Sequence, residues 1–136
     1  MRKKRGGSYY VNRHSCYKLS YHMVLVTKYR RPVLIGAVKD RVYDIIRDTV
    51  ETRGYELTAI NGEADHVHIL FDAPPAMAPA EFANAVKTRT ARLTRKEFPD
   101  EIRKFYWKPL FWTDSYFVAT VGKNTEAVVR EYIRNQ

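Results

Sequence analysis

Two histidines stand one residue apart in the stretch ADHVHILFDAPP, residues 64–75, whose neighbours Val67, Ile69, Leu70 and Phe71 read as core strand. Side chains alternate faces along a strand, so His66 and His68 share one face while Val67 and Ile69 take the other. Two neutral imidazoles on one face offer half of a divalent-metal site, which then needs a further ligand from elsewhere. The same pattern suits two core histidines that hydrogen-bond their neighbours, and strand parity does not choose between the two.

A second pair lies near the C-terminus. Tyr132 and Gln136 are four residues apart in NTEAVVREYIRNQ and share one face of an amphipathic helix. Val128, Val129 and Ile133 give that helix an apolar side. In one reading Tyr132 simply packs. In the other, Gln136 completes the metal shell and Tyr132 is presented to a phosphate held there. A phenol with a pKa of about 10 is a poor nucleophile near neutrality. A cation on a non-bridging phosphodiester oxygen would draw charge off phosphorus and make the attack feasible. The products would be a 5′-phosphotyrosine and a free 3′-OH, with the phosphodiester energy kept for rejoining.

The elements that must position these residues follow from periodicity. YKLSYHMVLVTK (17–28) alternates as a strand covered on both faces, and Pro32 ends its ladder. AVKDRVYDIIRDTVETRG (37–54) is a helix with the stripe Val38, Val42, Ile45, Ile46 and Val50, closed by Gly54. Residues 55–65 and 66–72 read as a second and third strand, although Asn61-Gly62 in the former is also a turn signal. Residues 79–98 form a second helix with Phe82, Ala83, Ala85, Val86 and Leu93 inward. Residues 115–122 read as a fourth strand, and 124–136 as a last helix capped by Asn124 or Thr125. The order is βαββαβ with an extra C-terminal helix, an α+β chain of the ferredoxin-like or RRM-like type with an antiparallel sheet. In that topology the first and third strands are central, so the histidine pair sits mid-sheet. One domain spans 1–136, with 1–16 expected as a flexible basic arm.

Charge points to a polyanionic partner. Lysine and arginine outnumber acids 24 to 15, for a net charge of +9, and ten tyrosines accompany them. Lys28, Arg30 and Arg31 after the first strand, and Lys87, Arg89, Arg92 and Arg95 on the second helix, are candidate phosphate contacts; each is individually also consistent with a solvated face. The one cysteine, Cys16, excludes an internal disulfide and fits a cytoplasmic setting, and no apolar run is long enough for a membrane helix. His22 reads as a core histidine. Asp65 is adjacent to His66 and so belongs to the opposite strand face; Glu63, with the parity of the pair, is the better acidic neighbour. Trp107, Phe111 and Trp112 read as packing between helix and sheet, with stacking on unpaired bases as the alternative.

Four blocks in order, YHMVLVTKYRRPVL, DHVHILF, FWTDSYFVATVG and REYIRNQ, make the chain from about Tyr17 to Gln136 similar to the HUH single-tyrosine transposases, the TnpA-type enzymes of small insertion sequences that move as single-stranded DNA. The resemblance implies that His66 and His68 bind Mg²⁺ or Mn²⁺, with Gln136 as third ligand and Tyr132 as nucleophile. It further implies a homodimer in which the tyrosine helix of one subunit can complete the histidine site of the other, acting on hairpin-bearing single-stranded DNA. Two other readings compete: a related HUH nicking enzyme of plasmid or phage replication, and a non-catalytic hairpin-binding module with structural histidines. A true RRM displays stacking aromatics on its central strands, and here the third strand offers histidines instead.

Overall fold

The computed structural model describes residues 3–5, 9–11, 16–17, 19–122 and 125–136, with side chains from Leu19 onward. The segment expected as a basic arm contains two short strands, β1 (Lys3–Arg5) and β2 (Tyr9–Val11), and reaches a third, β3 (Cys16–Tyr17). They pair antiparallel in the order β1-β2-β3. The remaining positions of that arm, and Asn124, lie outside the described residues.

The main sheet holds β4 (Leu19–Val26), β5 (Glu56–Glu63), β6 (His66–Ala73) and β7 (Phe117–Thr120), in the order β5-β6-β4-β7 and antiparallel throughout. This is the ferredoxin-like order, with the first and third strands of the motif at the centre. Tyr17, expected in the first of them, belongs instead to the small sheet.

Helices α1 (Gly36–Thr52) and α2 (Pro79–Glu97) cover one face. There Met23, Leu25, Val67, Ile69 and Phe71 from the sheet meet Val38, Val42, Ile46, Val50, Phe82 and Val86 from the helices in one core. The α1 stripe is buried as its period requires. Gly54 takes φ +78°, and the N–H groups of Gly54 and Tyr55 return to the carbonyls of Glu51 and Val50, a left-handed C-terminal cap that glycine makes at little cost.

On α2 the inward set differs from expectation: Thr90 and Thr94 are fully buried, while Ala85 and Leu93 are only partly covered. Hydroxyl bonds explain the exchange. Thr90 Oγ1 donates to the Val86 carbonyl and Thr94 Oγ1 to that of Thr90, both at 2.7 Å, and Trp112 Nε1 donates to Thr90 Oγ1 at 2.9 Å. A threonine satisfied within its own helix can be buried without the penalty of an unpaired polar group. A short helix, α3 (Pro99–Arg103), follows within the aromatic connector. Phe111 and Trp112 are buried as expected, but Trp107 is 82% exposed.

The last helix, α4 (Thr125–Arg134), lies on the opposite face of the sheet. Its Val129 is buried against Val24 and Val26, with Phe117, Tyr132 and Ile133 packed around them. Val128, expected on that apolar side, is about half exposed instead, because the helix seats only the row through Val129 and Ile133.

Candidate active site

The histidine face of β6 is the face that α4 covers. In the β4–β6 register Val26 is opposite His66, Val24 opposite His68 and His22 opposite Leu70, so His22 lies diagonally beside His68 on the same face. The two strand histidines meet edge to face, ring centroids 4.9 Å apart. His66 is buried and His68 partly buried. Between this face and α4 runs a cleft of about 750 Å³. His22, His66, His68, Glu63, Asp65 and Arg30 line one wall, and Glu126, Val129, Arg130, Ile133 and Arg134 the other.

Strand β5 reaches this site through a glycine. Gly62 pairs with Val67, and a Cβ there would collide with the His66 carbonyl oxygen and sit 2.9 Å from Val67 Cα. The Asn61-Gly62 dipeptide is therefore strand and not turn, and its glycine is what lets β5 close on the backbone of the histidine strand.

The turn comes two residues later, at Ala64-Asp65, and it corrects the expectation for Asp65. That residue lies outside β6, so strand parity does not apply to it, and its Oδ1 is 2.8 Å from His66 Nδ1. Its Oδ2 accepts from Arg30 Nε at 3.0 Å, and its carbonyl accepts from the N–H and hydroxyl of Thr27. Glu63 shares the parity of the pair and stands opposite His66, yet the acidic bond to that ring comes from Asp65. Burial pulls the Asp65 carboxyl pKa upward, but the bonds and charge of His66 and Arg30 outweigh it and hold the group below the usual carboxylate value. Arg30 reaches its place through a left-handed backbone, φ +58° at Tyr29 and +53° at Arg30, an uncommon conformation for non-glycine residues.

His22 corrects a second expectation: it is not an isolated core residue but a member of this cluster. Its Nε2 is 3.0 Å from His68 Nδ1. Burial lowers the pKa of His22. Burial first, then the proximity of His66 and His22, pushes His68 down to about 4, so it is a neutral imidazole at neutral pH.

Tyr132 and Gln136 are brought together, but elsewhere. The Tyr132 ring packs on Phe117, centroids 5.6 Å apart. Its hydroxyl lies 2.7 Å from Ser115 Oγ, which donates to Gln136 Oε1 at 3.1 Å, while Gln136 Nε2 donates to the Tyr132 carbonyl. Neither residue lines the cleft, and among the described residues neither bonds to His66 or His68. Ser115 was not singled out by the sequence: it was expected as the first residue of the fourth strand, but β7 begins at Phe117 and leaves Ser115 in the preceding loop, where no periodic signal marks it.

His66 and His68 fit a divalent ion as partial ligands. Both Nδ1 atoms are engaged by protein, which leaves each Nε2 as the ring nitrogen for coordination. Among the described residues no group of three or more His, Cys, Asp and Glu side chains could hold a metal, so donors beyond the two imidazoles are needed.

The proposed phosphate contacts scatter. Lys28 pairs with Asp114 at 3.7 Å, and Lys87 Nζ donates to the Ser115 carbonyl at 3.4 Å, so both lie near Tyr132 and Gln136. Arg30 is held by Asp65. Arg89 ties α2 to α1 through Asp48 (2.7 Å) and Thr49 Oγ1 (2.9 Å). Arg31 sits over the Tyr29 ring, Arg92 is exposed, and Arg95 borders a shallow groove with Arg103, Trp107 and Lys108.

Residues 15–136 match the model of the IS200-like transposase family. The chain belongs to that family. It is 37% identical over 136 residues to the ISDra2 transposase TnpA of Deinococcus radiodurans, covering 100% of this chain and 91% of that protein. It is 32% identical over 123 residues to the transposase of insertion sequence element IS200 of Salmonella typhimurium, covering 90% and 80%. A crystal structure of a D. radiodurans R1 protein described as a transposase superposes with a TM-score of 0.84 at 38% identity, over 93% of this chain and 96% of that one. A REP-associated tyrosine transposase, solved bound to a REP hairpin, shares the fold at a TM-score of 0.57 and 12% identity, over 90% and 68%. This IS200-like transposase is therefore an enzyme of DNA cleavage and strand transfer. Among its described residues no helix is long and apolar enough to cross a membrane.

Proposed function

We propose that this IS200-like transposase cleaves and rejoins single-stranded DNA next to hairpin ends, with Tyr132 as nucleophile and a Mg²⁺ or Mn²⁺ ion held by His66, His68 and Gln136. The observation that carries the reading is the pair of imidazoles facing a cleft with both Nδ1 atoms already engaged. Core histidines need partners, but they do not need an open cleft of this size in front of them. When bound, the ion draws charge from the scissile phosphate.

The chain's own residues supply the rest. Asp65 and Arg30 hold the His66 ring. Tyr132 Oη attacks phosphorus as its proton leaves, a 5′-phosphotyrosine bond forms, and the bond to the 3′ oxygen breaks to release a 3′-OH. Attack by a 3′-OH on that phosphotyrosine reverses the step and joins strands. That the REP-associated tyrosine transposase of the same fold was solved bound to a REP hairpin supports hairpin ends as the substrate.

Tyr132 and Gln136 sit with Ser115, outside the cleft that their own chain's histidines line. This separation supports a homodimer in which α4 of one subunit serves the histidine cleft of the other. The test incubates protein, Mn²⁺ and hairpin-bearing single-stranded DNA and seeks a covalent protein–DNA adduct on a denaturing gel. Wild type should form it. Tyr132→Phe, His66→Ala and excess EDTA should each abolish it while hairpin binding persists. An adduct with Tyr132→Phe would refute the nucleophile, and one in EDTA the metal.

A further inference from the structure

The two strand histidines are oriented by different partners. His66 Nδ1 faces a carboxylate, Asp65 Oδ1 at 2.8 Å. Since an ionised carboxylate only accepts, the ring carries its proton on Nδ1, and in the neutral form that coordinates a cation Nε2 is the bare nitrogen. His68 Nδ1 faces another imidazole, His22 Nε2 at 3.0 Å, and two ring nitrogens can share a proton in either sense. Chemistry selects one. A cation shared with His66 requires a bare Nε2 on His68, which places the His68 proton on Nδ1 and makes His22 Nε2 the acceptor.

Resting on the metal reading given above, we infer that His22 is a positioning residue for His68: it fixes the tautomer and ring orientation that turn Nε2 toward the ion, as Asp65 does for His66. His22 is itself held in place. Its ring is 5.2 Å from that of His68, tilted by 49°, and the Phe117 ring of β7 meets it edge-on at 6.5 Å, an interplanar angle of 82°. Three neighbouring strands thus set one imidazole: β7 supplies the ring behind it, β4 carries it and β6 presents the histidine it orients. With Nε2 engaged by His68, His22 is a partner of a ligand and not itself a ligand, although it lines the same cleft.

The experiment uses the full chain. In the metal-free wild type, two-bond ¹H–¹⁵N correlation spectra should show His68 protonated on Nδ1 and His22 bare at Nε2. Mn²⁺ titration calorimetry then compares His22→Phe, which removes the acceptor, with His22→Gln, whose amide oxygen reaches a similar point. Loss of such a partner typically weakens metal binding about 10- to 100-fold, so His22→Phe should fall in that range and His22→Gln should recover most of it. His68 protonated on Nε2 in the wild type, or His22→Phe binding Mn²⁺ as the wild type does, would overturn the inference. If His22→Phe does not fold, the position of the His68 proton in the wild-type spectrum still decides. Wild type that binds no Mn²⁺ but keeps the proton on His68 Nδ1 refutes the metal reading alone and upholds the His22–His68 arrangement.

Discussion

Acidifying the metal-free protein should destabilise it through His68, and the size of the effect can be worked from its surroundings. Burial, with the nearby rings of His66 and His22, takes the His68 pKa from 6.5 down to about 4. A base whose folded-state pKa is depressed binds its proton more readily when unfolded. Its contribution to stability is therefore complete above pH 6.5 and is lost as pH falls toward 4. Between about pH 7 and about pH 5 the unfolded imidazole gains its proton while the folded one does not, a difference of about 2 kcal/mol if fully expressed. The cleft admits water on one side of the ring, and screening there reduces this to about 1 kcal/mol. His22, also lowered by burial, adds in the same direction. The assay is urea unfolding in EDTA at both pH values and one fixed protein concentration, for wild type and His68→Gln. Wild type should lose about 1 kcal/mol more than the variant over that interval. Equal losses in the two proteins would refute the reasoning, because the pH dependence would then come from groups other than His68.

Two further outcomes test the architecture. Gly62→Ala should destabilise the protein by about 2 kcal/mol or more, since the new methyl meets the His66 carbonyl oxygen and the rigid strand backbone at Val67, neither of which can swing aside. Thermal unfolding checks it, and an unchanged midpoint would show that β5 does not approach the histidine strand as closely as the register requires. If α4 serves the partner's cleft, mixing inactive Tyr132→Phe and His66→Ala proteins should restore adduct formation to about a quarter of wild type, because about half of the dimers are mixed and each has one complete site. No recovery after subunit exchange would assign Tyr132 to its own chain's histidines.

What could be read from the sequence, and what could not, divides along a physical line. Period 2 in residues 17–28 and 66–72 and period 3.6 in 37–54 reflect burial of one face, and burial is what builds the four-stranded sheet and seats α1. The His66/His68 pair was legible for the same reason. Parity misled where a residue leaves the strand: Asp65 occupies the turn, where side-chain direction is set by the turn and no longer alternates, and from there it reaches His66 Nδ1. Thr90 and Thr94 were missed because their burial depends on hydroxyl bonds to carbonyls of their own helix, which hydropathy does not register. His22 escaped for a further reason. Its place beside His68 is a diagonal across two strands separated by more than forty residues, fixed by the pairing of Val24 with His68. A register shift of two residues would keep every apolar side chain on its face and still part the two rings, so the hydrophobic pattern alone leaves that contact open. What closes it is the pairing itself. The Ala64-Asp65 turn fixes where β6 begins, Thr27 binds the Asp65 carbonyl just past the end of β4, and together they align β4 with β6 so that the chemistry on one strand meets its support on the other.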